Sequence, residues 1–278
     1  MHGWHGGVAG APPVVVVHGF GAGSEAELPV AAELAERFRV HVPDLPGFGL
    51  SPADGLAADP ATLADALAGW LEACEIPRAA CLGNSAGCQV ILHLAARHPD
   101  RVSRLVLHGP TPDRWARTVL EQAVRLGLDV LFEHPQLVAV QVRGVRQAGF
   151  RRLRDALRGI LADRPEDTIT RLCHPVLVVR GRRDPVVSDR FARLLAARAR
   201  RGRHITLPGG SHAMVFSYPR QLARAITPFL AGELALNASA AEGIRPISRP
   251  SRTSARPRAD PLRGFDQGPF VHEPRSTR

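Results

Sequence analysis

A serine, an aspartate and a histidine, widely separated in a chain of 278 residues, each stand just past an apolar run. Ser85 is the centre of Gly83-Asn84-Ser85-Ala86-Gly87, with "AACLG" leading into it and "CQVILHLAAR" following. Asp184 comes after "PVLVVRGRR" and His212 after "HITLPGGS". Together these types supply the parts of nucleophilic catalysis: a hydroxyl to attack, an imidazole to take its proton, and a carboxylate to fix the imidazole tautomer. The glycine–serine pattern alone is weak, because a glycine-rich bend also produces it. Its weight depends on the elements around it.

Those elements alternate. Val14 to Val17, the segment ending near Val42, "AACLG", Arg104 to His108, Val176 to Val179 and Ile205 to Leu207 are short β-branched or apolar runs that predict buried strands. Between them, Leu63, Leu67, Trp70 and Leu71 recur at helical spacing after Asp59-Pro60, and the segment after the serine predicts a helix ended by His98-Pro99. Strands alternating with helices predict an α/β fold, a mostly parallel sheet covered by helices on both faces. Ser85 then sits on a sharp strand-to-helix turn that only small neighbours permit. Such a turn lifts the hydroxyl to the carboxyl edge of the sheet and aims the Ala86 N–H at a forming anion. The glycine-rich "HGFG" leaving the first apolar run can present the Phe20 N–H as a second donor.

The stretch 111–171 breaks the rhythm with helical patterns and no obvious strand. Leu153, Leu157, Ile160 and Leu161 share one face there, with Arg151, Arg152, Arg154 and Arg158 elsewhere. About sixty residues exceed one crossover, so a helical cap is expected over a core made of 1–110 and 172–236. Residues 237–278 are rich in Pro, Arg and Ser and predict a disordered tail.

Composition narrows the function classes. An apolar fraction of 45% is enough for a sizeable core. All the basic residues are arginine, which excludes a phosphate-loop lysine, a Schiff-base lysine and a Ser-Lys dyad. The net charge of +10 invites nucleic acid, but no basic stripe interleaves with aromatics, so a solvated arginine surface is the better reading. Cys74, Cys81, Cys88 and Cys173 form no Cys-x-x-Cys pair, and buried free thiols are expected rather than a metal site. No membrane-length apolar run and no signal peptide are visible, so a cytoplasmic protein is expected. Oligomeric state is not legible.

With serine, acid and histidine in that order, the chain resembles the α/β-hydrolase family over roughly residues 13–236. "VPDLPGFGLS" (42–51) is similar to the family loop that lines the site entrance. The resemblance implies Ser85 as nucleophile, His212 as base, Asp184 as orienting acid, and the Phe20 and Ala86 amides as oxyanion hole. It implies no metal or cofactor, and a small-molecule acyl substrate: a carboxylic ester, lactone or thioester. Asp189 and Asp113 are rivals to Asp184; His18 is expected to brace its loop, and His93, His174 and His204 to be surface or packing residues. Trp115, Leu131, Phe132 and Val215, with Phe20, are candidate substrate-lining residues. Serine in the elbow argues against the epoxide hydrolase and haloalkane dehalogenase branches. Carbon–carbon hydrolysis of ring-fission products, perhydrolysis and a non-catalytic binding role on the same fold remain alternatives. The family usually begins with a two-strand hairpin, for which "HGWHGG" offers only a remnant of the second strand, so the sheet is expected to be short by one or two strands.

Overall fold

The computed structural model of the chain describes residues 1–233 and 264–269. Among the described residues eight strands form one sheet: β1 (His2–Gly7), β2 (Pro13–Val17), β3 (Arg39–Pro43), β4 (Ala79–Asn84), β5 (Val102–His108), β6 (Pro175–Gly181), β7 (Arg201–Leu207) and β8 (Phe265–Pro269). Their spatial order is β7-β6-β5-β4-β2-β3-β1-β8. From β2 to β7 all pairings are parallel, while β1 runs antiparallel to β3 and β8 antiparallel to β1.

The helices are α1 (Leu28–Leu34), α2 (Pro60–Ala73), α3 (Gly87–Arg97), α4 (Val119–Asp129), α5 (Pro135–Ala162), α6 (Pro165–Thr168), α7 (Asp189–Arg198), α8 (Met214–Ser217) and α9 (Pro219–Leu230). Local chemistry sets their starts. Asp59 caps α2 by accepting the Ala61 and Thr62 N–H groups at 3.1 and 3.0 Å, with Pro60 preset in the first turn. Ser188 accepts the Phe191 N–H at 3.1 Å to start α7.

Alternate strand residues feed two apolar layers. Val15, Val17, Cys81, Leu105 and Val178 pack with residues of α2, α3 and α7 on one face; Val14, Val16, Leu82, Val106 and Val179 pack with residues of α1 and α9 on the other. Because both faces are covered, the central strands are apolar without a break, which is how they stand out in the sequence.

Two expectations about the sheet are corrected. "HGWHGG" is a full strand, registered from Gly3 opposite Pro43 to Gly7 opposite Arg39. The sheet is also not short on that side, because β8 adds to the outer edge of β1, with Gly6 opposite Phe265. Phe265–Pro269 lies inside the stretch expected to be a disordered tail. Its strand is anchored by Phe265, which packs against the α1/α9 layer, and a Cβ at Gly6 would fall 2.5 Å from Gly264 O and 3.2 Å from the Phe265 ring. The rest of 237–278 lies outside the described residues.

Between β5 and β6 the chain holds α4, a 3-10 turn at Val130–Phe132, α5, α6 and a 3-10 turn at Ile169–Arg171, with no strand. Helix α5 breaks at Gly149, whose φ of 73° suits glycine. Hydrogen bonds pin this helical segment to the core at several points, three of which are these. Asp163 accepts from Gln89 and His93 of α3 at 2.7 and 3.0 Å. Arg152 donates to the Pro46 and Leu56 carbonyls and lies over the Phe48 ring. The third point, at Asp129, reaches the histidine loop. Among the described residues no helix is long and apolar enough to cross a membrane.

Candidate active site

The β4–α3 turn is built by close approach. A Cβ at Gly83 would lie 2.7 Å from the Gly87 carbonyl, and one at Gly87 would lie 2.4 Å from the Val17 carbonyl. Ser85 between them takes φ of 54°, a left-handed conformation unusual for a residue with a side chain. The turn is held from below as well. The Ser85 N–H donates to the His108 carbonyl at 2.9 Å, and Cys88 Sγ reaches the Gly83 carbonyl at 3.1 Å. Cys88 is therefore a buried hydrogen-bonded thiol.

Three strand ends bring the chemistry together. Ser85 Oγ lies 3.0 Å from His212 Nε2, and His212 Nδ1 lies 3.0 Å from Asp184 Oδ2. The other Asp184 oxygen accepts the Val186 and Val187 N–H groups at 2.8 and 3.0 Å. Gly109, at φ 54°, clears the ring: a Cβ there would sit 3.0 Å from His212 Cε1 and Nδ1. Burial alone would raise the Asp184 carboxyl; the charge and hydrogen bond of His212, with the two backbone donors, bring it below the ordinary carboxylate value. Burial likewise pushes the His212 imidazolium down, but Asp184, with the charges of Asp129 and Glu133, raises it to about 9.

The rival acids are occupied elsewhere. Asp113 accepts the Trp115 and Ser188 N–H groups and faces Arg125 at 3.6 Å, while Asp189 pairs with Arg193 at 2.6 Å. His18 Nε2 accepts the Leu45 N–H at 3.1 Å, which leaves Nδ1–H to donate to the Gly19 carbonyl at 2.9 Å. That neutral tautomer braces the "HGFG" loop, and burial lowers the His18 pKa accordingly. His93, His174 and His204 bond to Asp163, the Pro99 carbonyl and Thr206 respectively, away from Ser85.

The loop carrying Phe20 passes close to the serine: a Cβ at Gly19 would be 3.1 Å from Ser85 Cβ. Neither the Phe20 nor the Ala86 N–H enters a backbone hydrogen bond among the described residues. An apolar cavity bordered by Gly19 and Ala86 runs from this point between Phe20, Phe48, Leu63, Val90, Ala156 and Ile160. The remaining lining candidates do not border it. Val215 is buried in the α1/α9 layer; Leu131 is 76% and Phe132 45% exposed; Trp115 is 40% exposed with Arg190 stacked 4.1 Å above its ring. Of the four arginines beside the α5 apolar face, Arg152 pins the 42–51 loop and Arg154 pairs with Asp155 at 3.0 Å.

Several neighbours carry no sequence signal that singles them out. Thr111 places its hydroxyl 3.4 Å from Ser85 Oγ. Behind the elbow, the Asn84 side chain donates to Glu27 at 2.9 Å and meets His108 Nδ1 at 3.1 Å. Burial raises the Glu27 carboxyl to about 8 and lowers the His108 imidazole to about 3. Among the described residues, no group of three or more His, Cys, Asp or Glu side chains is arranged to hold a metal ion.

Comparison with known proteins agrees with this fold. The model of the alpha/beta hydrolase fold matches residues 12–127, and that of the TAP-like proteins matches residues 161–235. A pimeloyl-[acyl-carrier protein] methyl ester esterase of Chromobacterium violaceum is 33% identical over 247 residues, covering 79% of this chain and 94% of that protein. A 2-hydroxymuconate semialdehyde hydrolase of a Pseudomonas strain is 44% identical over 102 residues, covering 35% of this chain and 36% of its own length. The solved structure of an enol-lactonase from Burkholderia xenovorans superposes with a TM-score of 0.70 at 24% identity, covering 83% of this chain and 96% of that one.

Proposed function

The chain belongs to the α/β-hydrolase fold family, and we propose that it cleaves a carboxylic ester through an acyl-enzyme on Ser85. The observation that carries this reading is the run from Ser85 Oγ to His212 to Asp184, with both links at 3.0 Å. In the neutral imidazole Nδ1–H donates to Asp184, so Nε2 is free to take the Ser85 proton. Oγ then bonds to the acyl carbon, and the carbonyl oxygen gains the negative charge facing the Phe20 and Ala86 N–H groups. Collapse breaks the C–O bond to the alcohol, which leaves with the proton held by His212. Water, giving its proton to Nε2, repeats the sequence and releases the acid.

The cavity between Phe20 and Ile160 has apolar walls, which suits an acyl chain. The esterase relatives act on a methyl ester by name, and a small alcohol leaving group fits a substrate whose acyl part fills that cavity. The partial likeness to the semialdehyde hydrolase supports a second reading, in which the same residues cleave a carbon–carbon bond of a ring-fission product.

Hydrolysis of p-nitrophenyl acetate and butyrate by the wild type and Ser85→Ala tests the first reading. Losing a serine nucleophile typically lowers turnover on the order of 10⁶-fold. Ester activity that persists in Ser85→Ala would overturn it. Turnover confined to a ring-fission dienoate would favour the second reading.

A further inference from the structure

Helix α4 is turned the unusual way round. Its buried residues are Gln122 and Asp129, whereas Val119, Leu120 and Val124 are exposed. A helix with a polar inner side is not seated by apolar burial, so its inward hydrogen bonds must hold it. Gln122 donates to the Ala116 carbonyl just before the helix, and the other inward bonds go to the two loops that carry the acid and the base. Arg125 donates to the Val186 carbonyl at 3.0 Å, two residues past Asp184. Asp129 Oδ1 accepts the His212 N–H at 3.1 Å. Just beyond the helix, Glu133 accepts the Ala213 N–H at 2.8 Å and the Ser217 hydroxyl, and Ser217 Oγ in turn accepts the His134 N–H at 3.2 Å.

We propose that Asp129 and Glu133 are positioning residues, through which the cap holds the His212 loop so that the imidazole faces Ser85. The inference rests on the reading of His212 as the base. Two buried or half-buried carboxylates on one histidine loop are costly unless their partners need fixing, and here the partners are the main-chain donors of His212 and its neighbour. The groups facing the ring are Asp184 from the β6–α7 loop, Asp129 at the end of α4, Glu133 after the 3-10 turn, Ser85 from the elbow and His108 from the end of β5. Burial raises Asp129 itself to about 7, against the pull of His212. Above that pH its charge adds to that of Asp184 in favouring the imidazolium. The cap therefore sets both the place of the base and the pH at which the base is free.

Two substitutions separate these effects. Asp129→Asn keeps an oxygen able to accept the His212 N–H but removes the charge; Asp129→Ala removes both. The measurement is kcat and KM for a soluble short-chain ester between pH 6 and 10, with Ser85→Ala and Glu133→Gln alongside. Asp129→Asn is expected to move the acid limb of kcat/KM to lower pH by about one unit. Glu133→Gln moves it in the same direction. Asp129→Ala lowers plateau kcat roughly tenfold or more, with KM changed less than about twofold, because orientation rather than binding is lost. If Asp129→Ala does not fold, the Asp129→Asn profile decides. Plateau kcat unchanged in Asp129→Ala or, where that variant does not fold, an acid limb that stays in place in Asp129→Asn, with activity still dependent on Ser85, overturns this inference alone. Activity that survives Ser85→Ala overturns the parent reading instead.

Discussion

Asp184 uses both carboxylate oxygens: Oδ2 meets His212 Nδ1 at 3.0 Å, while Oδ1 accepts the Val186 and Val187 N–H groups at 2.8 and 3.0 Å. The backbone donors fix which way an isosteric amide must sit. In Asp184→Asn the amide oxygen takes their side and the NH2 faces His212, which forces Nδ1 to accept and puts the proton on Nε2.

That tautomer cannot take the Ser85 proton. Asp184→Asn is expected to lower kcat by about 10⁴ while keeping the fold, as wrong-tautomer variants of such triads do. Asp113→Asn and Asp189→Asn leave the imidazole untouched and are expected to stay within a few-fold of wild type. Steady-state kinetics beside thermal melts of the three variants check this.

The raised His212 value has a direct kinetic sign. The base works only when neutral, and Asp184, Asp129 and Glu133 overcome the effect of burial to hold its pKa at about 9. For a neutral ester, kcat/KM in the substrate-free limit should climb from pH 6 to an inflection near 9. Stability runs the other way: a histidine whose folded pKa lies above its unfolded value of about 6.5 stabilises fully below that value. That contribution is lost as pH rises through the folded pKa. Chemical denaturation at pH 6, 7.5 and 9, beside the activity profile, tests the opposition.

Two glycines in helical positions should respond in opposite ways. Gly69 lies exposed inside α2 with nothing within 4 Å of an added Cβ, so Gly69→Ala is expected to stabilise by roughly 0.5–1 kcal/mol. At Gly87 the same methyl would fall 2.4 Å from the Val17 carbonyl and 2.7 Å from the His18 carbonyl. Gly87→Ala must push the elbow away from β2 and is expected to lower both melting temperature and kcat. Differential scanning of the pair distinguishes them.

What the sequence made legible follows from what periodicity can report. The central strands are covered on both faces, so their β-branched runs stand out, and the residues just past β4, β6 and β7 converge at one sheet edge because those strands are parallel. That is why Ser85, Asp184 and His212 could be picked out before any geometry. The facing of α4 was not legible, because it turns Gln122 and Asp129 inward and leaves Leu120 exposed, so apolar residues there do not mark the inner face. The placement of Val215 was not legible for a different reason: three residues past His212 the chain has already turned into the α1/α9 layer. Glu27 stands 57 residues from Asn84, its partner behind the elbow, and no local pattern joins them. The strand at Phe265–Pro269 hides in a Pro- and Arg-rich stretch, with Phe265 as its apolar anchor.

The most direct test of the account is to treat the intact protein with a fluorophosphonate and map the adduct by peptide mass spectrometry. The account predicts stoichiometric modification of Ser85, absent in Ser85→Ala and strongly slowed in His212→Ala, with ester hydrolysis lost in step with labelling. An unmodified Ser85 in protein that still hydrolyses esters, or an adduct on another residue, would contradict it.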